Sequence, residues 1–251
     1  MAETKDYKTE IFGEFEIHSP EGIRKCFEHG VDPNLEIGGK PLLYGLINMY
    51  LRSPRFKDCI QVFVDSGLFF KDKAFLAVLL DDSRLLDTLI HQDKRLLDKT
   101  YTLDCTFTPL WEATLLHICA EYNHVNCARI LVKYGARINS PAGMDENGFG
   151  GQSPIFHTVN QHNNNGWDTL LFFLENNPDL ELTVKGLIWG KGYEWETFIP
   201  SVNPISYAMM GLLPQFQRTE KQIYEVVREL MKARYNTDYI PRNVPNKYLD
   251  T

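Results

Sequence analysis

The side chains with chemistry to offer are seven histidines, five cysteines and a surplus of carboxylates, 33 Asp plus Glu against 26 Lys plus Arg in 251 residues. His157, Asn160 and Gln161 stand at i, i+3 and i+4, the spacing that sets three side chains on one face of a helix. Three polar groups so placed suit hydrogen bonding to a partner. His157 and His162 are five apart, not the three or four of a helical metal pair, and no cysteine or carboxylate lies close in sequence to complete a ligand set. No metal is therefore expected. G-x-S-x-G, H-E-x-x-H, C-x-x-C, dinucleotide and kinase signatures are all absent. Gly38-Gly39-Lys40 lacks the spacing of a phosphate-binding loop, and Asp145-Glu146-Asn147 lacks the alternating oxygen ligands of a calcium loop. The sequence assigns no catalytic residue and no cofactor.

Charge and cysteine usage narrow the setting. A net charge of −7 with no Lys/Arg cluster lacks the electrostatic footprint of a nucleic-acid binder. Cys26, Cys59, Cys119 and Cys127 fall at helical packing positions, where a reduced thiol acts as a small hydrophobe. Cys105 alone falls in an expected loop and has no feature that would lower its pKa. There is neither a leader pattern at the N-terminus nor a run of about 18 apolar residues, so no membrane segment and a soluble, cytoplasmic setting are expected.

The elements that must position these groups are clearest from Thr114 to Asn139, TLLHICAEYNHVNCARILVKYGARIN. Two amphipathic segments meet at Tyr122-Asn123-His124, and the second runs out at Gly135. Leu116, Cys119 and Ala120 share a face of the first helix. Val125, Ala128, Ile130, Leu131 and Val132 fill the inward side of the second, so one unit carries more apolar surface than it can bury alone. Thr114 can cap the first helix, and Gly135 can end the second in a left-handed conformation without a Cβ penalty.

This stretch resembles an ankyrin repeat. Thr114, Leu116, His117 and Ala120 match the T-P-L-H-x-A-A opening, with Leu115 and Cys119 departing from it; His124 matches the histidine that begins the second helix, and Gly135-Ala136 and Asn139 match the G-A-x-x-N ending. Openings recur near 40, 72, 114, 153 and 203, those other than 114 being fainter. The reading is an all-α solenoid of about six ankyrin-type units including partial caps, with one inserted β-hairpin. Residues 1–19 form an N-terminal segment, frayed from Met1 to Glu10 with a short cap from Ile11 to Ile17. Residues 20–236 form the repeat domain, and 237–251 an extended C-terminal tail.

Inserted loops are where repeat proteins carry function. Residues 140–152 hold four glycines with Asp145, Glu146 and Phe149, either as a binding loop or as a solvated connector. Thr183 to Trp189 and Tyr193 to Ile199 are β-rich runs joined by Gly190-Lys191-Gly192 and read as a hairpin. Trp189, Tyr193 and Trp195 either fold back over the last repeat or form a recognition surface. The resemblance implies a non-enzymatic module that binds a protein partner through concave helix faces and long loops. It turns His157, Asn160 and Gln161 to the concave side and places Tyr207 in the same alignment column as His157. Two alternatives remain open: a small-molecule or catalytic pocket between the loops 140–152 and 183–200, and an inhibitor or immunity-like partner of one target protein.

Overall fold

The computed structural model describes residues 6–104, 107–210 and 218–239. Residues 1–5, Cys105 and residues 240–251 of the expected tail lie outside the described residues. Asp6 accepts from the backbone of Lys8 and starts α1 (Tyr7–Glu16), which buries Ile11 and Phe15. This helix begins earlier than the expected cap at Ile11 because a side-chain cap offsets the polar composition of its first turn. Ser19 caps α2 (Pro20–Glu28), whose Pro20 needs no amide partner in the first turn.

Five helix pairs follow. They are α3 (Leu43–Ile47) with α4 (Phe56–Asp65), α5 (Lys73–Leu79) with α6 (Ser83–Gln92), α7 (Leu115–Tyr122) with α8 (Val125–Lys133), α9 (Phe156–Val159) with α10 (Trp167–Leu174), and α11 (Pro204–Met209) with α12 (Glu220–Tyr235). Asp72 and Asp82 cap α5 and α6 by accepting from Phe75 and Leu85. α5 packs on α7, α7 on α9 and α9 on α11, while α6, α8 and α10 pack in a second row. In the α7–α8 unit Leu116, Cys119, Ala120, Cys127, Ala128 and Leu131 are buried. Val125, Ile130 and Val132 are only partly covered against that core, because α8 has neighbours on both flanks but solvent on its back. Gly135 has φ +97°, the left-handed value its position requires.

The expectation of an all-α solenoid of about six units with a single hairpin is corrected by the strands. Among the described residues there are three two-stranded antiparallel sheets: β1 (Glu36–Ile37) with β2 (Lys40–Pro41), β3 (Thr100–Leu103) with β4 (Leu110–Thr114), and β5 (Val184–Trp189) with β6 (Thr197–Val202). The fold is mixed α/β. The connections between helix pairs carry amides and carbonyls that need partners, and strand pairing provides them. In β5–β6 the last pair is Trp189 with Thr197, so Tyr193 and Trp195 lie in the connecting loop and not in a strand from Tyr193 onward. Successive turns replace the ladder there: Tyr193 donates to Gly190 O at 2.9 Å, Glu196 to Tyr193 O at 3.0 Å, and Glu196 Oε2 takes the Gly192 amide at 2.7 Å.

Candidate interaction site

α9 is one turn of helix held between α7 and α11, and what it carries is buried. His157 donates Nδ1–H to Glu121 Oε2 at 2.7 Å, and Glu121 Oε1 accepts from Arg52 Nε at 2.6 Å. All three side chains are buried. Burial pushes the Glu121 carboxyl upward, but the Arg52 charge and the His157 hydrogen bond outweigh it and hold the group below its ordinary value. Arg52 also donates to the carbonyls of Met49 and Leu51, which ties the α3–α4 connection to α7.

Tyr207 on α11 is likewise fully buried. Its hydroxyl lies 2.7 Å from Thr108 Oγ1 and accepts the Trp189 indole N–H at 2.8 Å, and burial raises the phenol pKa. The expected exposed faces at His157 and Tyr207 are therefore corrected. Thr108 and β5 cover Tyr207, and Glu121 of α7 covers His157. Asn160 accepts from Arg218 at 3.1 Å and Gln161 donates to His157 O at 2.7 Å. These two residues do border open space, a cavity of about 290 Å³ whose walls include Tyr50, Leu51, Phe107 and Thr108.

The two inserted loops close on each other. Gly150 donates to Gly186 O at 2.9 Å, Lys185 to Asn147 O at 2.7 Å, and Phe149 packs on Phe198 with ring centroids 4.7 Å apart. Asp145 folds its own loop by accepting from the amides of Asn147 and Phe149, and it pairs with Lys191 at 3.1 Å. The Phe149 amide, foremost, holds its carboxyl below the usual range. A space of about 40 Å³ lies between these loops, far short of a deep cleft, and His157 does not line it. Glu146 faces solvent.

Aromatic rings gather along the edge of these loops. Phe107 meets Trp189 edge-on at 5.9 Å and Trp195 at 5.8 Å, and Tyr193 stacks on Trp195 at 5.5 Å. Trp195 lies so close over Gly190 that a Cβ there would stand 2.4 Å from the indole, which restricts the position to glycine. Trp111, Met144, Tyr193, Trp195 and Phe198 are 39%, 63%, 50%, 43% and 49% exposed. Phe107, Trp111, Met144 and Phe198 were not singled out from sequence. The aromatics in the run from Phe107 to Trp111 were the available signal for two of them.

The repeat histidines hold neighbouring segments together. His117 Nδ1 accepts the Thr114 amide at 3.1 Å, so its Nε2 carries the proton and donates to Gln152 O at 3.1 Å. His124 Nδ1–H donates to Val78 O at 2.6 Å. Burial lowers the His117 pKa to about 3 and the His124 pKa to about 4. Among the described residues no group of three or more His, Cys, Asp or Glu side chains is set to hold a metal ion, and no helix is long and apolar enough to cross a membrane.

Residues 108–142, which contain β4, α7 and α8, match the family model of the ankyrin repeat. The resemblance carried by Thr114–Asn139 therefore stands for that stretch. No curated protein matches the chain.

Proposed function

We propose that this chain is a non-enzymatic interaction module that engages a protein partner along the rim made by residues 107–111, the loop 141–150 and the β5–β6 turn. The exposed aromatic rim carries this reading: five large apolar side chains remain in solvent although the loops bearing them are tied to one another, and aromatic side chains dominate binding hot spots. Tyr193, Trp195, Glu146 and Phe149 belong to the contacting surface. Asn160 and Gln161 extend it through the cavity that Phe107 borders, and Asp145, Trp189, His157 and Tyr207 support it from beneath. Cys26, Cys59, Cys119 and Cys127 are buried in the core, the placement of thiols that act as small hydrophobes in a reducing, cytoplasmic setting.

Affinity capture from a cell extract tests this with the full chain, a Tyr193→Ser/Trp195→Ser double variant and Arg84→Ala, a control on α6 far from the rim. Each variant is first shown to keep its far-UV circular dichroism. Mass spectrometry should find proteins held by the parent and by Arg84→Ala and lost from the double variant. An identical set from all three would overturn the assignment of the rim.

A further inference from the structure

We propose that the segment this rim takes is cationic, presenting Lys or Arg side chains to the stacked Tyr193–Trp195 pair. The inference rests on the interaction reading above and adds the chemistry of the occupant.

The cations of the rim are committed. Lys40 is paired with Asp104, Lys191 with Asp145, and Lys185 donates to Asn147 O. Two of them already lie over rings, Lys191 at 5.3 Å from the Trp111 centroid and Lys185 at 5.1 Å from that of Phe149. The acids are in excess. Glu112, Glu146 and Glu194 are exposed, and no cation among the described residues forms an ion pair with any of them. Glu194 lies between Tyr193 and Trp195 in the chain and is exposed, so the turn that bears the stacked rings also bears a carboxylate.

An ammonium or guanidinium brought to these rings gains cation–π attraction on a rim whose exposed charges are carboxylates, beside the Phe107 ring. An acidic segment would meet unpaired carboxylates, and a purely apolar one would cover them without compensation. The rim's own lysines over Trp111 and Phe149 use the same pairing of chemistry that a partner's Lys or Arg would use at Trp195.

The test pans a phage-displayed library of random twelve-residue peptides against the full chain, then measures recovered peptides by fluorescence anisotropy. The expected peptides are enriched in Lys and Arg. Their affinity should fall about tenfold for Trp195→Ser, and about threefold or more for Glu146→Gln/Glu194→Gln, a pair that keeps shape and removes charge. Raising the salt should weaken the parent and leave the Gln pair nearly unaffected. Peptides without cationic enrichment that still need Trp195 would overturn the cationic chemistry and leave the interaction surface standing. Cationic peptides held equally by the Gln pair would also overturn it, since the net negative charge of the whole chain would then explain them. Peptides indifferent to Trp195→Ser would overturn both readings. So would no recovered peptides, or a dimer of the parent that Trp195→Ser converts to monomer.

Discussion

Acidification from pH 7 to pH 5 should cost this protein much of its stability, because three of its histidines are buried in the neutral form. His18, His117 and His124 each have essentially no exposed surface. Burial lowers His18 to about 4, with help from the charges of Arg52 and Arg55. It lowers His124 to about 4, against the pull of Asp81, and His117 to about 3, with the facing His157 adding to the shift. Each titrates near 6.5 once unfolded. Between pH 6.5 and 4 the unfolded chain therefore binds protons that the folded chain refuses, so stability rises with pH across that window and is lost as pH falls through it. From pH 7 to 5 the loss is about 2 kcal/mol for each histidine, or on the order of 5 kcal/mol for the three. A domain of ordinary stability has about 5–15 kcal/mol to lose. Urea unfolding followed by circular dichroism at pH 7, 6 and 5 measures the loss. Near pH 5 the slope should report an uptake of about three protons on unfolding, and His18→Gln should reduce that by about one. A stability at pH 5 within about 1 kcal/mol of that at pH 7 would refute the reasoning.

Leu131 is buried at the junction of α8 with its neighbours, so Leu131→Ala should cost about 2–5 kcal/mol in urea unfolding, and less than about 1 kcal/mol would contradict the packing. Tyr207→Phe removes the partner of both Thr108 and the Trp189 indole. It should destabilise by about 1–3 kcal/mol and shift the Trp189 indole proton resonance in NMR spectra, whereas an unmoved resonance would mean that the bond is not formed in solution.

The α7–α8 repeat was legible because its signals are local. Thr114, His117 and Gly135 act within a few residues of themselves: the cap, the ring nitrogen that accepts the Thr114 amide and the left-handed turn are all short-range chemistry. The β5–β6 pairing was legible for the same reason, from β-rich runs on either side of a glycine turn. Its boundary was not, since Tyr193 and Trp195 have the composition of a strand while the bonds from Gly190 to Glu196 fold them into turns. β3–β4 went unread because a short ladder with a register shift between Tyr101 and Leu103 gives a weak period.

Periodicity, turn chemistry and charge are properties of neighbouring residues, so the helical repeat of residues 114–139, the thiols placed as core residues and the acidic excess are legible along the chain. Which polar groups reach solvent depends on contacts between distant segments. Arg52, Glu121 and His157 come from three separate segments, and their pairing leaves no trace in any local pattern. The spacing of His157, Asn160 and Gln161 fixes a shared direction but not what stands opposite, and Glu121 stands there. Tyr207 looked free for the same reason until Thr108 and Trp189 closed over it. Exposure is set by what long-range packing brings against a side chain, so His157 and Tyr207 are buried and the aromatic rim is left in solvent only once the loops fold onto the helices.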